Sequence, residues 1–80
     1  MMKFFATRRI VSCVDSDPKF SKFVNAALKI HQDNLSGGVK YLSQYENEGK
    51  TIWIVTDPHR SVTTIFFPEE YWGLVFRRIL

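Results

Sequence analysis

Residues 52–67 contain two apolar runs around a polar turn, and this pattern constrains the fold more than any other part of the chain. Residues 52–56 and 62–67 are rich in β-branched and aromatic side chains, which favour strands. Asp57-Pro58-His59-Arg60 between them has the residue types of a tight turn. The segment therefore predicts a β-hairpin.

The first strand of this hairpin is apolar on both faces. Ile52 and Ile54 alternate with Trp53 and Val55, and such a strand is typical of the centre of a sheet. One face is predicted to pack on a helix. The other face needs the C-terminal segment or another molecule to cover it.

A long amphipathic helix is predicted after Asp17. Asp17 suits the N-cap and Pro18 the first helical position, while the segment 33–38, with two glycines, ends the helix. Apolar residues and one histidine recur at steps of three and four and form the core-facing side: Phe20, Phe23, Val24, Ala27, Leu28 and His31.

The remaining elements complete an α+β domain over residues 1–80. A first strand is predicted around Thr7 to Val14 and a second over residues 39–45, and Pro68 stops the last strand and opens a short helix from Glu69 to Arg78. The predicted fold is an antiparallel sheet of three to four strands in the order β-α-β-β-β. One amphipathic helix lies on one face, and a short C-terminal helix follows.

Composition excludes several classes of protein. The single cysteine, Cys13, excludes an intramolecular disulfide and is interpreted as an apolar filler, and two distant histidines give no metal-ligand spacing. No cofactor is expected. Arg8 and Arg9 interrupt what would be the apolar core of a signal peptide, and no stretch approaches the roughly 20 apolar residues of a membrane span. We therefore expect a cytoplasmic protein with no membrane partner.

The hairpin also carries a family resemblance. WIVT at residues 53–56, RSVTTI at residues 60–65 and FPEEY at residues 67–71 resemble a family of small uncharacterised proteins of phages and plasmids, often labelled plasmid-related. Those proteins share a W-I-I-T-x-x-D-R-S-V-T-T-I-L-L-P-x-E-Y pattern, and the likeness extends over roughly residues 17–71. The resemblance implies a mobile-element accessory protein and no reaction. His59 replaces the family's acid before the arginine, and the family's acidic insert after the helix is missing.

Two groups of residues are candidate sites. The turn cluster of Asp57, His59 and Arg60 could bind phosphate or act in acid–base chemistry, although Asp57 is also a natural turn residue that bonds its own backbone. Aromatic residues make up 15% of the chain, and one helix cannot cover so many aromatic side chains. Some of them are therefore expected to lie at an interface. The predicted contact residues are Trp72 and Phe76, with Arg77 and Arg78 at the rim, and Arg8 and Arg9 are further predicted partner-binding residues.

Three functions are compatible with this pattern. The favoured interpretation is a non-enzymatic inhibitor that binds a host protein, such as a defence nuclease complex of the CRISPR or restriction type, with a homodimer as a second form of association. A ribonuclease toxin of a toxin–antitoxin pair would use Arg60, Arg77, Arg78, Lys50 and Tyr71. A nucleic-acid-binding regulator would place Lys3, Arg8, Arg9, Arg77 and Arg78 on phosphates, but a net charge of +3 supports it weakly.

Overall fold

The computed structural model describes residues 3–71 and has a four-stranded sheet with helices on one face. In chain order the elements are β1 (Lys3–Ala6), α1 (Arg8–Ser16), α2 (Pro18–Asp33), β2 (Tyr41–Asn47), β3 (Lys50–Thr56) and β4 (Val62–Phe66). A helical turn then begins at Pro68. The predicted α+β class is confirmed.

The strands lie in the order β1-β4-β3-β2. The strands β2, β3 and β4 form an antiparallel meander, and β1 pairs in parallel with β4 at one edge. β3 is central, as the apolar pattern of Ile52 to Val55 predicts. Its side chains Ile52 and Ile54 are fully buried beneath the helices.

The predicted strand at Thr7 to Val14 is wrong, because residues 8–14 lie in helix α1. Thr7 is the N-cap, and its hydroxyl accepts the N–H of Ile10 at 3.3 Å. Ile10 is buried, and Cys13 and Val14 pack against the core three and four residues later. That is helical spacing, and it outweighs the β-branched composition. The first strand lies earlier, at Lys3–Ala6.

Helix α2 begins and ends where the sequence predicts. The carboxylate of Asp17 accepts the N–H of Lys19 at 3.0 Å, and Pro18 occupies the first turn. The buried residues follow the predicted core-facing side: Phe20, Val24, Ala27 and His31. Phe23 and Leu28, on the same side, are partly buried against the core.

A two-residue turn connects β2 to β3. Glu48 and Gly49 have φ angles of 51° and 79°, the left-handed conformation that two-residue hairpin turns require. The turn fixes Asn47 opposite Lys50. The strand β2 therefore begins and ends two residues later than the predicted range of 39–45.

Candidate binding surface

Helices cover one face of the sheet but not the other. Ile52, Ile54 and Ile65 point towards the helices and are fully buried. The alternating side chains of the central strands point to the opposite side, which we call the outer face. Neither of the two helices α1 and α2, which span Arg8 to Asp33, packs on the outer face. Other parts of the chain must therefore cover it.

An aromatic cluster covers one end of the outer face. The ring of Tyr71 stacks on Phe66 with a centroid distance of 5.4 Å, and it meets the edge of Trp53 at 5.2 Å. The indole Nε1 of Trp53 donates to Oε1 of Gln44 on β2 at 2.8 Å. The segment after β4 thus returns to the outer face, and Phe66 is 4% exposed as a result.

A row of three apolar side chains and one threonine crosses the outer face beside this cluster, and we call it the apolar row. Leu42 lies opposite Val55, Val55 opposite Thr64, and Thr64 opposite Phe5, so the row includes one side chain from each strand. Its two ends, Leu42 and Phe5, are 39% and 52% exposed. Single exposed apolar side chains are normal, but a row across a rigid sheet is typical of an interaction site.

The predicted contact residues are only partly described. Trp72, Phe76, Arg77 and Arg78 lie outside residues 3–71. Arg8 and Arg9 occupy the first two positions of α1 and are exposed, rather than lying in a strand.

Arg9 already has partners in the segment after β4. Its Nη1 atom lies 2.9 Å from Oε1 of Glu69, and its guanidinium lies 4.8 Å above the ring of Phe67. The hydroxyl of Thr7 also donates to Oε1 of Glu70 at 3.1 Å. The basic N-terminal segment therefore meets the acidic start of the C-terminal helical turn, which offsets its positive charge locally.

The carboxylate of Asp57 closes the turn between β3 and β4. It accepts the N–H groups of Ser61 and Val62 at 2.8 and 3.1 Å, and the Ser61 hydroxyl donates to its other oxygen. The Ser61 hydroxyl, followed by the Val62 N–H, holds the pKa of Asp57 below its usual value. Across the part of the chain that the structure describes, these bonds stay within the turn, which supports the structural interpretation of Asp57.

The other two members of the turn cluster differ: the Arg60 side chain bonds to the loop after α2, whereas the charge of His59 helps to lower the pKa of Asp57. Arg60 adopts a φ of 57°, and its Nη2 atom donates to the carbonyl of Leu35 at 3.2 Å. His59 is exposed. Arg60 therefore ties the turn to the loop after α2.

The residues named for a ribonuclease are also separated. Lys50 begins β3 and Arg60 follows its end, so about 20 Å of strand lies between them. Lys50 lies over the ring of Phe20 on the helix side, whereas Tyr71 packs on the outer face. The sheet separates these two side chains.

A buried polar network lies under α2, and sequence reasoning missed it. Nε2 of His31 lies 2.7 Å from Oγ1 of Thr56, and that oxygen lies 2.7 Å from Oγ1 of Thr63. Nδ1 of His31 is hydrogen-bonded to the hydroxyl of Ser43, and the ring stacks on Tyr41. The sequence places His31 on the core-facing side, but the hydroxyls come from three separate strands.

Burial lowers the pKa of His31 from its usual value of 6.5, so the folded state favours the neutral imidazole. The unfolded chain then binds the proton more readily, and we expect this contribution to stability to be complete above about pH 6.5. It should be lost as the pH falls from there towards the lowered pKa. Urea unfolding between pH 5 and 8 measures this effect.

Two variants test the assignment of this pH dependence. His31→Gln should flatten the loss of stability between pH 5 and 6.5, and His59→Gln, at the exposed histidine, should keep it. The lowered pKa of Asp57 affects stability only at lower pH, around and below its usual value of 3.8. The pH dependence due to Asp57 is therefore separable from that due to His31. A wild-type midpoint independent of pH across this window would contradict the assignment.

Comparison of the chain with protein-family models, with curated proteins and with solved structures gives no match. The resemblance to plasmid-related proteins therefore stays a prediction. Within residues 3–71 no cluster of three or more His, Cys, Asp or Glu side chains is placed to hold a metal ion. Among the same residues no helix is both long and apolar enough to cross a membrane.

Proposed function

We propose that this protein is a non-enzymatic, cytoplasmic accessory protein of a phage or plasmid that binds and inhibits a host protein complex. The target class is a defence nuclease complex of the CRISPR or restriction type. The observation that carries the proposal is the apolar row of Leu42, Val55, Thr64 and Phe5, which crosses all four strands on the outer face.

The row has the layout of an interface core. Its central members are half-buried and flanked by the exposed Leu42 and Phe5. Lys3 lies two residues before Phe5 on the same face, and Gln44 lies two residues after Leu42. An apolar centre with a polar rim is the usual anatomy of a protein interface, and about 800 Å² on each partner makes a stable one.

The side chains best suited to chemistry are engaged in holding the fold. Asp57 bonds its own turn, Arg60 bonds the loop carbonyl of Leu35, and His31 is enclosed by hydroxyls. This arrangement supports a binding function over a catalytic one. The resemblance to mobile-element proteins supports the choice of a host target.

Affinity purification from a bacterial host tests the proposal with two matched variants. Phe5→Lys places a charge in the apolar row, and Ile30→Lys places the same charge at a 51% exposed apolar residue on α2. A host protein complex should be captured by the wild type and by Ile30→Lys, and lost with Phe5→Lys. Trp72→Ala extends the test to a residue outside the described range.

Expression toxicity separates the rival functions. An inhibitor should leave growth unaffected in a host that lacks its target. Growth arrest together with RNA cleavage by the purified protein would replace the binding function with the toxin. Capture of nucleic acid alone, lost on substitution of Lys3 or Arg8, would favour the regulator.

A further inference from the structure

The sheet has one long edge, formed by β2. Within residues 3–71 this seven-residue strand pairs with β3 on one side only, whereas the opposite edge is the four-residue strand β1. An open edge of this length offers a row of backbone donors and acceptors to another strand.

The turn of Glu48 and Gly49 determines which groups face the open edge. A two-residue turn makes Asn47 and Lys50 a hydrogen-bonded pair, and alternate residues of β2 then bond to β3 in the same way. The backbone N–H and C=O groups of Leu42, Gln44 and Glu46 consequently point outwards.

We propose that two copies of this chain pair antiparallel through β2, with Ser43 of one copy opposite Ser43 of the second copy. This register places Tyr41 opposite Tyr45 and Leu42 opposite Gln44, and it brings Lys40, the residue immediately before β2, opposite Glu46. The two-fold symmetry repeats each pair. Each pair lies on one face of the joined sheet, and opposite charges in such a position stabilise it.

The charges select this arrangement over its neighbours. A shift by two residues in one direction, with Gln44 opposite Gln44, would set the apolar Leu42 against the charged Glu46. The same shift in the other direction, with Leu42 opposite Leu42, would set Lys40 against Gln44 and Glu46 against Gly38, without an opposite charge for either. Parallel pairing in register would set Lys40 against Lys40 and Glu46 against Glu46. The antiparallel register centred on Ser43 satisfies both the backbone and the charges.

The dimer would also enlarge the surface described above. A two-fold axis perpendicular to the sheet keeps both outer faces on the same side, so the two apolar rows meet at Leu42. The inference goes beyond the proposed function and stands on separate residues, Lys40 and Glu46. Phe5→Lys lies at the far edge and should leave the dimer intact.

Sedimentation equilibrium of charge-exchanged variants tests the dimer. The wild type should dimerise at micromolar to submillimolar concentration. Lys40→Glu and Glu46→Lys should each weaken self-association by at least about tenfold, because each creates two like-charge pairs. Lys29→Glu, which makes the same charge change at an exposed position on α2, should not.

Mixing the two single variants gives the decisive result. One chain then carries glutamate at both positions and the other carries lysine at both, so every cross-strand pair is again opposite in charge. The mixture should form a heterodimer with wild-type affinity even if either variant alone is less stable. A monomeric wild type, unchanged association of the single variants, or a mixture that fails to associate would each overturn the proposal.

Discussion

Replacing Phe20 with alanine should destabilise the protein by about 3–5 kcal/mol, which is a large part of the total stability of a domain of this size. The ring is 3% exposed and stacks on Phe67 at 6.1 Å, and the ammonium of Lys50 lies 4.9 Å above it. Phe20 thus joins α2 to the segment after β4 and to the start of β3. Urea unfolding followed by circular dichroism measures the loss.

Two substitutions on the same helix provide the controls. Phe23→Ala should cost less, because Phe23 is only half-buried, and Ile30→Ala should have little effect at 51% exposure. Helical spacing alone does not distinguish Phe20 from Phe23, so this ranking tests the packing directly. Equal losses for Phe20→Ala and Ile30→Ala would mean that α2 packs through another face.

Replacing His31 with leucine should cost about 2–4 kcal/mol although the new side chain is apolar and of similar size. The hydroxyls of Ser43 and Thr56 would each lose a hydrogen bond to the imidazole, and Thr56, which is 1% exposed, would keep only its bond to Thr63 within this network. A hydroxyl that loses a hydrogen bond and meets an apolar side chain instead cannot replace that bond with one to water, which costs free energy. Thermal and urea unfolding at pH 7.5 measure the change.

A compensated variant separates hydrogen bonding from packing. Adding Ser43→Ala to His31→Leu removes the Ser43 hydroxyl that has lost its partner and leaves the bond between Thr56 and Thr63 in place, so part of the stability should return. His59→Leu, at the exposed histidine, should change stability little. If His31→Leu were as stable as the wild type, the network would contribute nothing to the fold.

The parts of the fold that the sequence predicted depend on local signals. The caps of Asp17 and Pro18, the three- and four-residue spacing along α2, and the alternation in β3 each arise within a few residues. The strand predicted at Thr7 to Val14 is wrong because the N-cap at Thr7 and the helical spacing of Ile10, Cys13 and Val14 outweigh the β-branched composition of this segment. Tertiary packing decides such cases.

The candidate surface was harder to predict because it depends on pairing between distant parts of the chain. Phe5 joins the apolar row only because β1 pairs in parallel with β4, nearly sixty residues away. A first strand at Thr7 to Val14 would leave Phe5 outside the sheet. In the same way, the alternation of side chains in β3 does not predict that Thr56 and Thr63 face His31. Their positions depend on how β2, β3 and β4 pair with one another.

The most direct test of the proposed function is a binding titration of the captured host complex with purified wild-type, Phe5→Lys and Ile30→Lys proteins. The wild type and Ile30→Lys should bind with the same affinity, and Phe5→Lys should bind at least about tenfold more weakly, because a charge would be buried in the apolar row. Equal affinities for all three proteins, with the Phe5→Lys variant fully folded, would show that the outer face is not the binding surface.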